Sequence, residues 1–191
     1  MIRREVIYFQ KPGPDNTDAC LQLLEKAKAE GYNHFVVAST TGASGAKAAQ
    51  LLGGPSAGIN LIVVGHSVGF RGPNVDEFLP EHWQAITERG GKVFKGTILT
   101  HSLDTSIAEM FKGSAPTLLI ANTLRRLGHG IKVCCEIVME AVDAGLIPEG
   151  EEVVAAAGSA RGWDAVAILR SAASKRFLSL AILEIWAKPR G

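Results

Sequence analysis

The sequence predicts an α/β domain whose mostly parallel sheet is covered by helices on both faces, and three observations predict it. HFVVAS and NLIVVG are continuous apolar runs of strand length, without the polar alternation of a strand that has one wet face. Between them Ala46, Ala49, Gln50 and Leu52 carry a short helix that stops at Gly53 and Gly54. Far downstream VVAAAG, Val153 to Gly158, repeats the buried-strand pattern. Strand, loop, helix, strand is the order of right-handed βαβ units, whose ligand sites lie beyond the carboxyl ends of the strands.

The remaining elements follow in order. Val6 to Phe9 reads as a first strand, and KPGPDNT leads into a helix capped by Asn16 or Thr17, with Leu21, Leu24 and Ala27 to Ala29 facing inward. A helix from about Asp76 to Arg89 and a short strand at Lys92 to Lys95 come next. Another helix is expected from Ser102 or Asp104. PTLLIANTLRRLG and IKVCCEIVMEAVDAGLI read as two packed helices separated by the breaker GHG. The ending, DAVAILRSAASKRFLSLAILEIWAKP, fits two short strands better than a helix. With 191 residues and no repeat or linker, a single domain over residues 1–191 is expected.

Composition narrows the function classes. A formal charge of +1 and 6% aromatic residues leave no basic stripe with interleaved stacking side chains, so nucleic acid is not an expected partner. No run approaches the roughly 20 apolar residues of a membrane span, and the apolar run of MIRREVIYFQKPGP is too short for a signal h-region. A cytoplasmic location is expected. The three cysteines, Cys20, Cys134 and Cys135, are sparse, odd in number and without zinc-type spacing, which suits buried reduced thiols. Self-association into a homo-oligomer stays open.

Three polar, glycine-bearing loops follow predicted strands. The first is the knot STTG, Ser39 to Gly42, at the start of a helix; the second is GHSVGFRGPN, Gly65 to Asn74; the third is GSARGWD, Gly158 to Asp164. Loops that follow neighbouring parallel strands leave the same edge of a sheet, so the three are expected to share one pocket. STTG has two readings. Thr41 can simply cap the helix, or the loop can hold a phosphate on the helix amides. It matches neither the GxxxxGK[ST] nor the GxGxxG pattern.

The succession HFVVASTTGASGAKAAQLL, NLIVVGHS and KVFKGT resembles the C-terminal α/β domain of pyruvate kinase, in which a hydroxyl-rich loop and helix N-terminus bind a phosphate of a sugar effector. With AGSARGWD and the tail EIWAKPR, nearly the whole chain is similar to stand-alone archaeal and bacterial proteins related to that domain. The resemblance implies a three-layer α/β/α fold with a mixed sheet. It implies flavin mononucleotide (FMN) as ligand, with no assigned reaction, and it does not imply kinase activity, whose metal and substrate ligands lie in a barrel outside the resembling domain. Trp163 stands where a small residue is expected before the aspartate.

The expected cofactor-binding set is Ser39, Thr40, Thr41, Gly42, Ala43, Ser44, Ser67, Arg71, Gly158, Arg161 and Asp164, of which the resemblance carries the phosphate loop and the shared-pocket reading the rest. The hydroxyls and the amides of Ala43 and Ser44 would hold the phosphate, with Gly42 allowing close approach. Arg71 either neutralises the phosphate, stacks on a ring or is a solvated loop residue; Arg161 and Asp164 share that ambiguity. Trp163 reads as a packing anchor before a stacking platform. Among the histidines, only His66 and His101 follow predicted strands, and structural roles are favoured for both. No paired carboxylates, nucleophile elbow or metal cluster marks a reaction. The expected function is binding of a small phosphorylated ligand. A phosphometabolite-sensing regulatory or assembly module, and an enzyme acting on a phosphorylated substrate without flavin, are the alternatives.

Overall fold

The computed structural model describes residues 1, 3–97 and 99–191. In chain order the elements are β1 (Ile7–Phe9), α1 (Thr17–Ala29), β2 (His34–Ala38), α2 (Ala43–Leu52), β3 (Asn60–His66), α3 (Pro80–Thr87) and β4 (Lys92–Gly96). After them come α4 (Leu103–Met110), α5 (Pro116–Leu124), α6 (His129–Asp143), β5 (Glu152–Ala157), β6 (Ala165–Arg170) and β7 (Ala181–Pro189). The strands form one sheet in the order β1-β7-β6-β5-β2-β3-β4. β2, β3, β4 and β5 run parallel; β6 is antiparallel to both its neighbours, and β1 pairs parallel with β7 at the far edge.

Alternate residues of the central strands enter two separate cores, because successive side chains of a strand point to opposite faces. Val37, Val63, Val154 and Ala156 pack beneath α1, α2 and α3 with Leu24, Leu52 and Ile86. Val36, Ile62, Ala155 and Ala167 meet α6 through Ile131, Cys135 and Val138. Val36, Val37, Ile62, Val63 and Val154 have no solvent exposure, as a sheet covered on both faces requires. The three cysteines are buried and free, and burial pushes the thiols of Cys20 and Cys135 up to about 12.

Several boundaries differ from the sequence reading. The helix expected from Asp76 begins at Pro80, because proline starts a helix well but forces the residue before it out of helical angles; Leu79 is extended at φ −80°, ψ 135°. In the other direction, α2 begins at Ala43, so the whole of ASGAKAAQLL is helical. The chain end does form two strands, though β7 is nine residues long. GHG does not separate α5 from α6 completely: Gly128, at φ 130°, breaks the chain direction, and α6 starts at the next residue.

Candidate functional site

The order of the strands reverses between β2 and β5. From β2 the chain moves outward through α2 to β3 and then β4, whereas β5 is reached by a long return through α4, α5 and α6 on the opposite face. A crevice opens at such a switch point, beyond the carboxyl ends of the strands. It is a cleft of about 1120 Å³ here, bordered by the loops after β2, β3 and β5 and by one side of α6. That is slightly above the roughly 300–1,000 Å³ of small-molecule sites. The three loops leave three adjacent strands, so STTG and GSARGWD are direct neighbours despite more than a hundred intervening residues.

Ser39 is buried, and its Oγ accepts the Gly45 amide at 3.2 Å and bonds Ser44 Oγ at 3.0 Å. Gly42 sits at φ +90°, and a Cβ there would stand 2.6 Å from both His82 Cβ and the Phe78 ring. Glycine is therefore required to press the loop against α3, on the side away from the cleft. The carbonyl of Thr41 accepts the Leu79 amide at 3.1 Å, and its hydroxyl makes no bond to the first turn of α2 among the described residues, so the capping reading of Thr41 is not realised. The amides of Ala43 and Ser44 make no hydrogen bond among the described residues. Both residues line the cleft with Thr40, Thr41 and Lys47, whose ammonium pairs with Asp18 at 3.2 Å.

In the third loop Gly158 and the exposed Arg161 border the cleft, but the two residues after Gly162 turn inward. Trp163 is fully buried; its Nε1 donates to the Ala38 carbonyl at 2.6 Å and its amide donates to Thr17 Oγ1 at 3.0 Å. It is a packing anchor. Asp164 is fully buried as well, and its Oδ2 accepts the amides of Gly13 at 2.9 Å and Ser159 at 3.2 Å. The aspartate thereby clamps this loop to the one before α1 and is not among the residues that line the cleft.

The second loop divides. Arg71 borders the cleft and donates from Nε to Glu77 Oε1 at 3.2 Å, while Ser67 faces a separate hollow beside α4. His66, at the end of β3, contacts Glu77 Oε2 through Nδ1 at 2.8 Å. Its ring lies 4.4 Å from Phe70 and 5.2 Å from His101, and the last two rings are 4.1 Å apart. Burial, with the neighbouring His66 and Lys132, pushes His101 down to about 4, so this imidazole is neutral at physiological pH.

Across from STTG, α6 presents Lys132, Glu136 and Glu140 to the cleft, all three buried. Four-residue spacing aligns them in one row. Lys132 is ion-paired with Glu136 and donates from Nζ to Thr100 Oγ1 at 3.1 Å. Glu140 Oε2 has no hydrogen-bond partner among the described residues. Burial first, then the charges of Glu136 and Asp143, raises this carboxyl to about 8. The sequence reading missed this row, as well as Arg125 and His129 beside it. A signal was present: IKVCCEIVMEAV is apolar on its other sides, so its charges have no ordinary solvent face to occupy.

Compared with models of known protein families, the chain matches none. Among the described residues no group of three His, Cys, Asp or Glu side chains is placed to hold a metal ion, and no helix is long and apolar enough to cross a membrane.

Proposed function

We propose that the cleft binds a phosphorylated, nucleotide-sized ligand, with FMN the first compound to test. The observation that carries this reading is the N-terminus of α2, where the amides of Ala43 and Ser44 lack partners among the described residues at the rim of the cleft, beside the hydroxyl residues Thr40 and Thr41. Unpaired amides and the positive end of a helix dipole attract an anion. The resemblance to the effector-binding domain of pyruvate kinase supports the same placement.

Within this reading the phosphate lies on Thr40, Thr41, Ala43 and Ser44. Arg161, exposed and without a hydrogen-bond partner among the described residues, adds charge from the neighbouring loop. Residues fitted to the rest of FMN are the ring cluster of Phe70 and His101 and the polar row of α6, which give the cleft one aromatic and one hydrogen-bonding wall. A bound flavin would supply redox chemistry; the chain's own residues bind and orient it. Neither Asp164 nor Trp163 belongs to the contact set, since both are committed to the interior.

The test is titration of FMN, riboflavin and inorganic phosphate into the wild-type protein and the Thr40→Val and Thr41→Val variants, following flavin absorbance and heat. FMN should bind more tightly than riboflavin, and each variant should lose about tenfold in affinity for FMN and phosphate alike. Equal affinity for FMN and riboflavin contradicts the reading.

A further inference from the structure

We propose that the α6 wall of the cleft is a proton-donating subsite, in which the carboxyl of Glu140 takes a carbonyl or similar uncharged acceptor on the end of the ligand away from its phosphate. The proposal rests on the phosphate reading, which decides which end of the ligand reaches α6.

Its starting point is an unsatisfied group. Glu140 is 8% exposed, lines the cleft, and leaves Oε2 without a partner among the described residues. Buried polar atoms are nearly always paired, so one that is orphaned beside a cavity marks a place where something else completes the bond. Room for the carboxyl is built into β4: a Cβ at Gly96 would stand 2.9 Å from Oε2.

The surroundings decide whether Glu140 receives a cation or donates a proton. Along α6 its charged neighbours are Glu136, Asp143 and Lys132, and Lys132 is already neutralised by Glu136. Across from it, Gly96 and Phe94 of β4 carry no charge. From the loop before α4, Thr100 bonds Lys132, and His101 is neutral. Lys132 favours the ionised form, but burial with the charges of Glu136 and Asp143 outweighs it, so the acid form prevails near neutral pH and its O–H is available to donate. A cationic ligand is disfavoured further by Arg125 and Arg161 at the same cleft. Acids held neutral by an apolar site are one established means of hydrogen-bonding a carbonyl or developing oxyanion.

FMN and inorganic phosphate serve as probes of wild type, Glu140→Gln and Glu140→Leu. Phosphate should bind all three equally. FMN should bind the Gln variant, whose amide still donates, within a few-fold of wild type, and the Leu variant about tenfold more weakly. Wild type, unlike the Gln variant, should lose FMN affinity as the pH rises through about 8, where Glu140 ionises. Wild-type FMN affinity in Glu140→Leu, with phosphate binding intact, overturns this proposal alone; parallel pH profiles for wild type and Glu140→Gln do the same. Absence of phosphate binding to the wild type overturns the phosphate reading and this proposal together.

Discussion

The indole Nε1 of Trp163 donates to the main-chain carbonyl of Ala38 at 2.6 Å, tying the loop after β5 to the carboxyl end of β2. Two borders of the cleft are thus fixed to each other by one buried side chain. Trp163→Phe keeps much of the packing but leaves the Ala38 carbonyl without that donor. A loss of about 1 kcal/mol in urea unfolding is expected, since the carbonyl keeps only the long 3.5 Å bond from Ser44 Oγ.

Asp164 performs the companion task with the loop before α1, accepting the Gly13 and Ser159 amides on one oxygen. Asp164→Ala should lower stability by about 2–4 kcal/mol, because two amides lose a charged acceptor. Raising ligand concentration should restore binding in that variant once the folded fraction is counted, since Asp164 does not line the cleft. Calorimetry corrected for folded fraction checks this; a binding deficit that survives the correction contradicts it.

The Lys132–Glu136 pair is nearly free of solvent, with side chains 3% and 8% exposed. Removing one partner strands a buried charge, so Lys132→Met should cost about 3–5 kcal/mol. Lys132→Met with Glu136→Leu should recover most of that loss. Denaturant midpoints of the two single variants and the double variant measure the difference.

The pH dependence of stability has a contribution of known sign. Glu140 is raised from 4.5 in the unfolded chain to about 8 in the folded protein, so the folded state holds this proton more tightly. Its contribution is present in full below 4.5 and is lost as pH rises through about 8. Glu140→Gln removes the dependence, and its stability relative to wild type should improve steadily across that window and level off above it. Thermal melts from acid to alkaline pH test this, and a constant difference between the two proteins contradicts it.

Much of this architecture is legible in the sequence because buried parallel strands must be apolar on both sides. HFVVAS and NLIVVG display that requirement, and position after a strand is enough to bring STTG, GHSVGFRG and GSARGWD to one edge. Side-chain direction is not legible in the same way. Asp164 and Arg161 look alike in a polar loop, yet Arg161 faces outward and Asp164 is drawn inward by the Gly13 amide, about 150 residues away, together with the nearby Ser159 amide. The adjacency of β5 to β2 depends on the long return through α6, which no local pattern specifies. For Lys132, Glu136 and Glu140 the sequence carries two opposed signals, since four-spaced charges ordinarily mark a wet helix face while the apolar residues around them argue against one. Only the cleft, seen in three dimensions, gives them another environment.

The proposed binding of an anion by the first amides of α2 is tested by phosphate titration calorimetry of the Ala43→Asp variant. Ala43 is exposed at the first turn, so the aspartate fits without repacking and, through the helix dipole, should raise stability by about 0.3–1 kcal/mol. The same carboxylate occupies and repels the proposed phosphate position. Phosphate affinity lower than wild type by about tenfold or more, in a variant at least as stable, is the predicted result. Unchanged phosphate affinity in that stable variant would rule out an anion site on the α2 amides.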